Sequence, residues 1–246
     1  QIDSSLGGKT GVDLPEGKNL VGAFHQPASI VIDVDLLGSL PERERRAGLA
    51  EAVKMAALGD ERLFELLEER GPAIAAGDPG AVESGAVAEL VERAAWAKVE
   101  VVTADEREAA GRIALNLGHS LGHAIEAAAG FADLRHGEAV AYGLRAACRT
   151  GVARGVTPAD RAGRIEALLD LLELGRASLP YSLDGVLEAL ATDKKHAGGH
   201  LRWVLPTAGG YQVDAEVPDE LVASIAGDVL AGRSAAAAMG AAGARP

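Results

Sequence analysis

Aromatic residues make up only 3% of the chain: three Phe, two Trp and three Tyr. A core so short of rings must be built from Ala, Leu and Val, which suits close packing of helices. The same scarcity argues against a stacking platform for single-stranded nucleic acid. Cysteine is nearly absent. Cys148 stands alone in an apolar helical run, so no disulfide can form within the chain, and a small buried hydrophobe is its expected role. That usage fits a reducing compartment, with the cytoplasm as the expected location. No apolar run is long enough to cross a membrane, and no signal-peptide pattern opens the sequence. Positive charge is also short: 24 Lys and Arg against 36 Asp and Glu leave a net charge of −12. This balance disfavours nucleic acid and anionic membranes as partners. A small anionic ligand stays open, because local Lys and Arg can override the mean field.

What is present is a chain of 246 residues with 48% hydrophobic content, enough for one large domain or two small ones. Its most informative stretch is Asn116-Leu117-Gly118-His119-Ser120-Leu121-Gly122-His123-Ala124-Ile125-Glu126, followed by His136-Gly137-Glu138-Ala139-Val140. His119 and His123 are four apart and project from one helix face. His136 opens a second helical pattern running to about Ala147, so its ring can meet the other two. A pair of histidines at this spacing is more often core filling than a metal site. A third nearby shifts the balance, because open catalytic metal sites take three protein ligands. The anionic ligand such a site needs must come from elsewhere.

The remaining candidates are spread along the chain. Residues 1–28 read as loop, and Asp3-Ser4-Ser5-Leu6-Gly7-Gly8-Lys9-Thr10-Gly11 has the ingredients of an anion cradle without being a Walker A motif. Ser29 to Asp33 reads as a strand. A helix from Leu40 to Leu58 carries Glu51 in apolar surroundings, with Lys54 one turn on. Asp60 is placed to cap a helix from Glu61 to Arg70, and Gly71 to Ser84 reads as a loop. A helix from Ala86 to Val102 carries Lys98. Arg112 and Asn116 then lead into the histidine segment. Further helices are expected from Pro158 to Leu174 and from Ser182 to Ala191, followed by Asp193-Lys194-Lys195-His196. Leu201–Pro206 and Gly210–Val213 read as a hairpin. The Ala/Gly-rich residues 231–246 read as a frayed tail.

Taken in order, these blocks resemble the 3-dehydroquinate synthases, within the sugar-phosphate cyclase superfamily. They are Asp3 to Gly11, Gly17 to Phe24, Leu40 to Glu44, Gly48 to Lys54, Asp105 to Glu108, the histidine helix, Arg135 to Val140, and Asp193 to Lys195. The resemblance implies a mainly α chain, the helical metal- and substrate-binding domain of a larger α/β plus α enzyme. A few short strands near the N-terminus and one C-terminal hairpin complete it. Residues 1–40 would be the remnant of a Rossmann-like NAD domain, 41–230 the helical domain, and 231–246 the tail. The implied reaction converts 3-deoxy-D-arabino-heptulosonate 7-phosphate to 3-dehydroquinate and phosphate, the second step of the shikimate pathway, in a homodimer using NAD and a divalent metal, zinc or cobalt.

Carried over by position, the metal ligands would be Glu51, His119 and His136. Lys54, His123, Asn116 and Lys9 would act at the reacting groups and the phosphate. Asn19, Lys98, Arg112 and Lys194 would bind substrate, with Lys98 and Arg112 as a carboxylate clamp. Asp3, Lys9, Lys18 and the turn Leu36, Leu37, Gly38 and Ser39 would border NAD. The chain departs from the family pattern where Met55-Ala56 replaces an aromatic-Gly pair and where His200 stands in place of a common Lys. The glycine-rich nucleotide turn is missing, so this chain alone is expected to have little or no turnover. Two other readings are a cyclase acting on sedoheptulose 7-phosphate, which lacks the carboxylate, and an inactive helical metal-binding module.

Overall fold

The computed structural model describes residues 1–14, 17–105, 111–130, 133–196, 201–214 and 216–234, with backbone alone for 13, 14, 17–20 and 193–196. Within them the chain runs as a hairpin β1 (Lys9–Leu14) and β2 (Gly17–Phe24), then α1 (Glu42–Ala57), α2 (Glu61–Ala76), α3 (Pro79–Glu83) and α4 (Ala86–Ala104). It continues with α5 (His119–Ala128), α6 (His136–Ala153), α7 (Ala159–Leu171) and α8 (Leu183–His196). A second hairpin, β3 (Trp203–Pro206) and β4 (Tyr211–Asp214), precedes α9 (Asp219–Leu230). Single 3-10 turns at Val34–Ser39 and Gly111–Asn116 lead into α1 and α5. The mainly helical class expected from the sequence is what the structure shows. No helix among the described residues is long and apolar enough to cross a membrane.

Helix α6 organises the packing because its sequence is dominated by small residues. It is buried on nearly every side, and two apolar clusters meet on it: one with α1, α2, α4 and α7, the other with α5, α8, α9 and β3. Glycines set how close the neighbours come. A Cβ at Gly137 would lie 1.8 Å from the Ala47 carbonyl oxygen of α1, and one at Gly143 would lie 1.7 Å from the Gly118 oxygen at the start of α5. Helix α6 therefore touches both neighbours backbone to backbone. Arg43 of α1 adds a bidentate pair to Glu138 of α6, at 2.6 and 2.7 Å, and Arg135 reaches Glu44 at 2.6 Å. These contacts fix the N-terminus of α6 against α1.

Several expectations need correction. Ser29 to Asp33 is not a strand: it has no partner strand, and Val31 is 90% exposed. Residues 1–28 are not all loop, since β1 and β2 pair antiparallel with Val12 opposite Val21. Glycine lowers the strand signal there, yet a Cβ at Gly22 would meet the Thr10 oxygen at 1.9 Å, so the pairing requires it. Gly71 to Ser84 is largely helical. Helix α2 runs on through Pro72 to Ala76 and ends at Gly77 with φ 75°, and Asp78 caps α3 through the Gly80 amide. The cap at Asp60 is present, accepting from the Leu63 amide at 2.9 Å. The C-terminal hairpin forms as expected, with Trp203 opposite Asp214. Most of the expected tail lies outside the described residues. Helix α9, whose Val222, Ile225, Ala226 and Val229 are buried, was not read from the sequence.

Candidate active site

Three elements bring the candidate ligands together. Glu51 sits in the middle of α1, where apolar neighbours bury it to 7% exposure. His119 is the first residue of α5 rather than a mid-helix position. Gly118, with φ 79°, turns the chain from the 3-10 turn into that helix. His136 is the first residue of α6. Because α6 packs so closely on α1 and α5, Glu51 Oε1 lies 3.2 Å from His136 Nε2 and 3.6 Å from His119 Nε2. His123, one turn along α5, completes a trio of rings. Its centroid is 5.2 Å from that of His119 and 5.8 Å from that of His136.

The far sides of two rings are also held. His119 Nδ1 is 3.1 Å from the Leu117 carbonyl oxygen, and His136 Nδ1 is 3.1 Å from Glu126 Oε2. Both partners accept, so each Nδ1 is the natural place for the ring proton, leaving Nε2 aimed at Glu51. This is how histidines are held when they bind a metal. Two imidazoles and one carboxylate also suit zinc or cobalt, so the residues fit such an ion. The nitrogens of His119, His123 and His136 themselves lie within 4.8 Å of one another, and a three-histidine set is the rival arrangement. Glu51 offers the alternative third donor: its Oε2 is paired with the Lys54 ammonium, while its Oε1 faces the Nε2 atoms of His119 and His136.

Electrostatics follow from burial and neighbours. Burial opposes ionisation of Glu51, but the Lys54 ammonium and the His119 and His136 rings outweigh it and hold the carboxyl well below the usual range. Burial likewise opposes the Lys54 charge. Glu51 and Asp3, the latter at 2.8 Å, prevail and keep it an ammonium. Lys98 is pushed down, first by burial and then by Lys54, with Asp3 resisting. Burial drives His119 down to about 4, so it is neutral near pH 7. Burial disfavours the charged form of His136 too, yet its bonds to Glu126 and Glu51 bring it up to about 9.

These side chains line a cavity of about 690 Å³. Asp3, Lys9, Lys54, Lys98, Arg112, Asn116, His119, His123 and His136 all face it, as do Leu37 and Gly38. Six Lys and Arg side chains against four carboxylates give the wall a positive balance in a chain of net charge −12. That suits an anionic ligand. Asp3 bridges two of the cations: its carboxylate meets Lys54 and Lys98, and its carbonyl accepts from Lys98 at 2.6 Å. Arg112, fully buried, donates to the Gly7 oxygen at 2.9 Å and packs where a Cβ at Gly7 would stand 2.7 Å from its Nη2. Leu36 and Ser39 do not line the cavity; Ser39 Oγ instead donates to the Leu36 oxygen at 2.7 Å. The side chains of Lys18, Asn19 and Lys194 lie outside the described residues. Sequence reasoning gave no role to Glu126, although the spacing His119, His123, Glu126 puts all three on one stripe of α5.

The family model described as 3-dehydroquinate synthase C-terminal matches residues 48–196, and the one described as 3-dehydroquinate synthase N-terminal matches residues 1–47. The 3-dehydroquinate synthase of Thermosynechococcus vestitus is 44% identical over 223 residues, covering 90% of this chain and 60% of the relative. That of Symbiobacterium thermophilum is 46% identical, covering 87% and 58%. Among solved structures, the 2-epi-5-epi-valiolone synthase ValA of Streptomyces hygroscopicus subsp. jinggangensis, with NAD+ and Zn2+ bound, superposes with a TM-score of 0.82 at 30% identity, over 93% of this chain and 62% of that one. A 2-deoxy-scyllo-inosose synthase, complexed with carbaglucose-6-phosphate, NAD+ and Co2+, has a TM-score of 0.76 at 24% identity, over 92% and 62%, and shows the shared fold alone. The chain spans about three fifths of the length of the curated relatives it matches.

Proposed function

The chain belongs to the 3-dehydroquinate synthase family, and from that membership we propose that it carries the metal- and substrate-binding part of a cytoplasmic, homodimeric enzyme. The enzyme converts 3-deoxy-D-arabino-heptulosonate 7-phosphate to 3-dehydroquinate and phosphate. The observation that carries this reading is the convergence of Glu51 Oε1 with the Nε2 atoms of His119 and His136 at the wall of a cation-rich cavity. In this reading residues 1–40 border the NAD-binding part and residues 41–230 hold metal and substrate.

Glu51, His119 and His136 would hold zinc or cobalt, and Asp3, Lys9, Leu37 and Gly38 would border NAD. A bound metal would supply Lewis-acid polarisation of a substrate carbinol, and bound NAD would supply a reversible hydride acceptor. The chain's own residues supply binding and charge. Lys54 is held as a buried ammonium, which makes it a fixed positive charge and hydrogen-bond donor rather than a base. His123 stands beside the ligand pair, within reach of a hydroxyl or phosphate oxygen presented there. Lys98 and Arg112 supply the carboxylate clamp, and Lys9 and Asn116, with Asn19 and Lys194, take the phosphate end. Burial of the Lys98 and Arg112 cations strengthens each pairing with an incoming anion. The clamp is also what favours this substrate over sedoheptulose 7-phosphate, which has no carboxylate to bind.

The test is phosphate release from the heptulosonate phosphate by the full-length protein supplied with NAD and zinc. Release with that sugar and none with sedoheptulose 7-phosphate is expected. No release from folded, zinc-loaded protein that binds NAD would reject the reading, and preference for sedoheptulose 7-phosphate would replace it with the other cyclase activity.

A further inference from the structure

Resting on the metal site proposed above, we infer that Glu126 is a positioning residue that sets the tautomer of His136. Glu126 is 1% exposed, and its Oε2 lies 3.1 Å from His136 Nδ1. It shares a stripe of α5 with His119 and His123, so one helix delivers two imidazoles and a carboxylate to the start of α6. The two candidate histidine ligands are fixed differently. His119 is fixed by its own chain, through the Leu117 carbonyl two residues back. His136 opens its helix with a side chain 44% exposed, and the contact to its Nδ1 comes from another element.

The tautomer matters because His136 has a carboxylate at each ring nitrogen: Glu126 at Nδ1 and Glu51 at Nε2, 3.2 Å away. A neutral imidazole carries one proton, and both carboxylates can accept it. If the proton sits on Nε2, it occupies the side that must offer a lone pair to a metal. If it sits on Nδ1, that lone pair is free and faces Glu51. The bond from Nδ1–H to Glu126 selects the second arrangement and fixes the plane of the ring. Partners of this kind typically change metal affinity by roughly 10–100-fold when removed.

The experiment uses two variants, Glu126→Ala and Glu126→Gln, with two readouts. One is zinc affinity by competition with a chelating dye. The other is the tautomer of His136 in metal-free protein, from its imidazole 15N shifts recorded above the pH, about 9, at which the ring becomes neutral. Glu126→Ala should bind zinc about 10–100-fold more weakly and move the His136 proton toward Nε2. Glu126→Gln, whose amide oxygen can still accept from Nδ1, should keep the tautomer and recover most of the affinity. Adding Glu126→Ala to His136→Ala should cost no further affinity. Unchanged His136 shifts in Glu126→Ala would overturn the inference, as would an equal loss of affinity in the His136→Ala background, the mark of a merely structural role. The metal site itself fails separately: wild-type zinc affinity untouched by Glu51→Ala and His136→Ala would remove it. The shifts would still decide whether Glu126 sets the tautomer.

Discussion

Replacing Gly143 with Ala tests whether close approach of α5 and α6 is what assembles the site. The added Cβ would stand 1.7 Å from the Gly118 oxygen and 3.0 Å from the Gly122 amide nitrogen. Both are backbone atoms, so no side chain can swing aside. Carbon and oxygen rest at roughly 3.3 Å or more, so the helices must part by about 1.5 Å. Overpacking of this kind costs roughly 1–3 kcal/mol. In a chain of this size that is a fall of roughly 2–12 °C in Tm. The effect on the site should be larger than the effect on the fold. The displaced oxygen belongs to the residue preceding His119, and zinc–nitrogen bonds are only about 2.0–2.1 Å long. A shift of about 1.5 Å leaves His119 out of reach while His136 stays, so zinc affinity should fall about tenfold or more. Thermal melts of metal-free protein and zinc competition with a chelating dye measure the two effects. Gly163→Ala in α7 is the control: a Cβ there meets nothing within 4 Å, so it should stabilise by about 0.4–1 kcal/mol and leave zinc binding alone. If Gly143→Ala melts and binds zinc like the wild type, the glycine contact does not position the histidines.

Other expectations concern separate parts of the molecule. Arg112→Ala should weaken substrate binding, raising KM for the heptulosonate phosphate, with the zinc content retained; loss of the metal instead would mean that Arg112 has been given the wrong role. His119→Ala should lose zinc and activity together, measured by metal analysis alongside phosphate release. Asp214 of β4 receives the Arg154 guanidinium at 2.8 Å. Burial works against its ionisation, but that bond, the Glu216 amide and the Arg154 charge hold its carboxyl below the usual range. A carboxyl depressed in the folded state stabilises above its unfolded pKa, and the benefit is lost as pH falls through the folded value. Asp214→Asn should therefore destabilise by about 1 kcal/mol at pH 7 and by nothing in strong acid, as denaturant melts across pH would show.

Much of the helical frame was legible because its signals are local. Asp60 caps α2 and the apolar period of α4 marks a buried face, so both are written in neighbouring residues. The pairing of Glu51 with His119 and His136 spans 68 and 85 positions, and spacing alone pointed only to the histidines. The carboxylate came from likeness to a family. What stayed illegible depends on tertiary partners. The β1–β2 hairpin is rich in glycine and gains its strand character only from pairing. Residues Ser29 to Asp33 have strand propensity but no strand beside them. Helix α2 continues through Gly71-Pro72, and the glycine there leaves room for Leu172, which a Gly71 Cβ would meet at 2.7 Å. The contact of Glu126 with His136 needed the α5–α6 crossing before it could be seen.

The most direct measurement of the central claim is an anomalous difference map at the zinc edge from crystals of the zinc-loaded protein. The account predicts one strong peak within bonding distance of Glu51 Oε1, His119 Nε2 and His136 Nε2, with His123 outside the ligand set. A peak held by His119, His123 and His136 with Glu51 turned away, or a peak elsewhere on the protein, would contradict it.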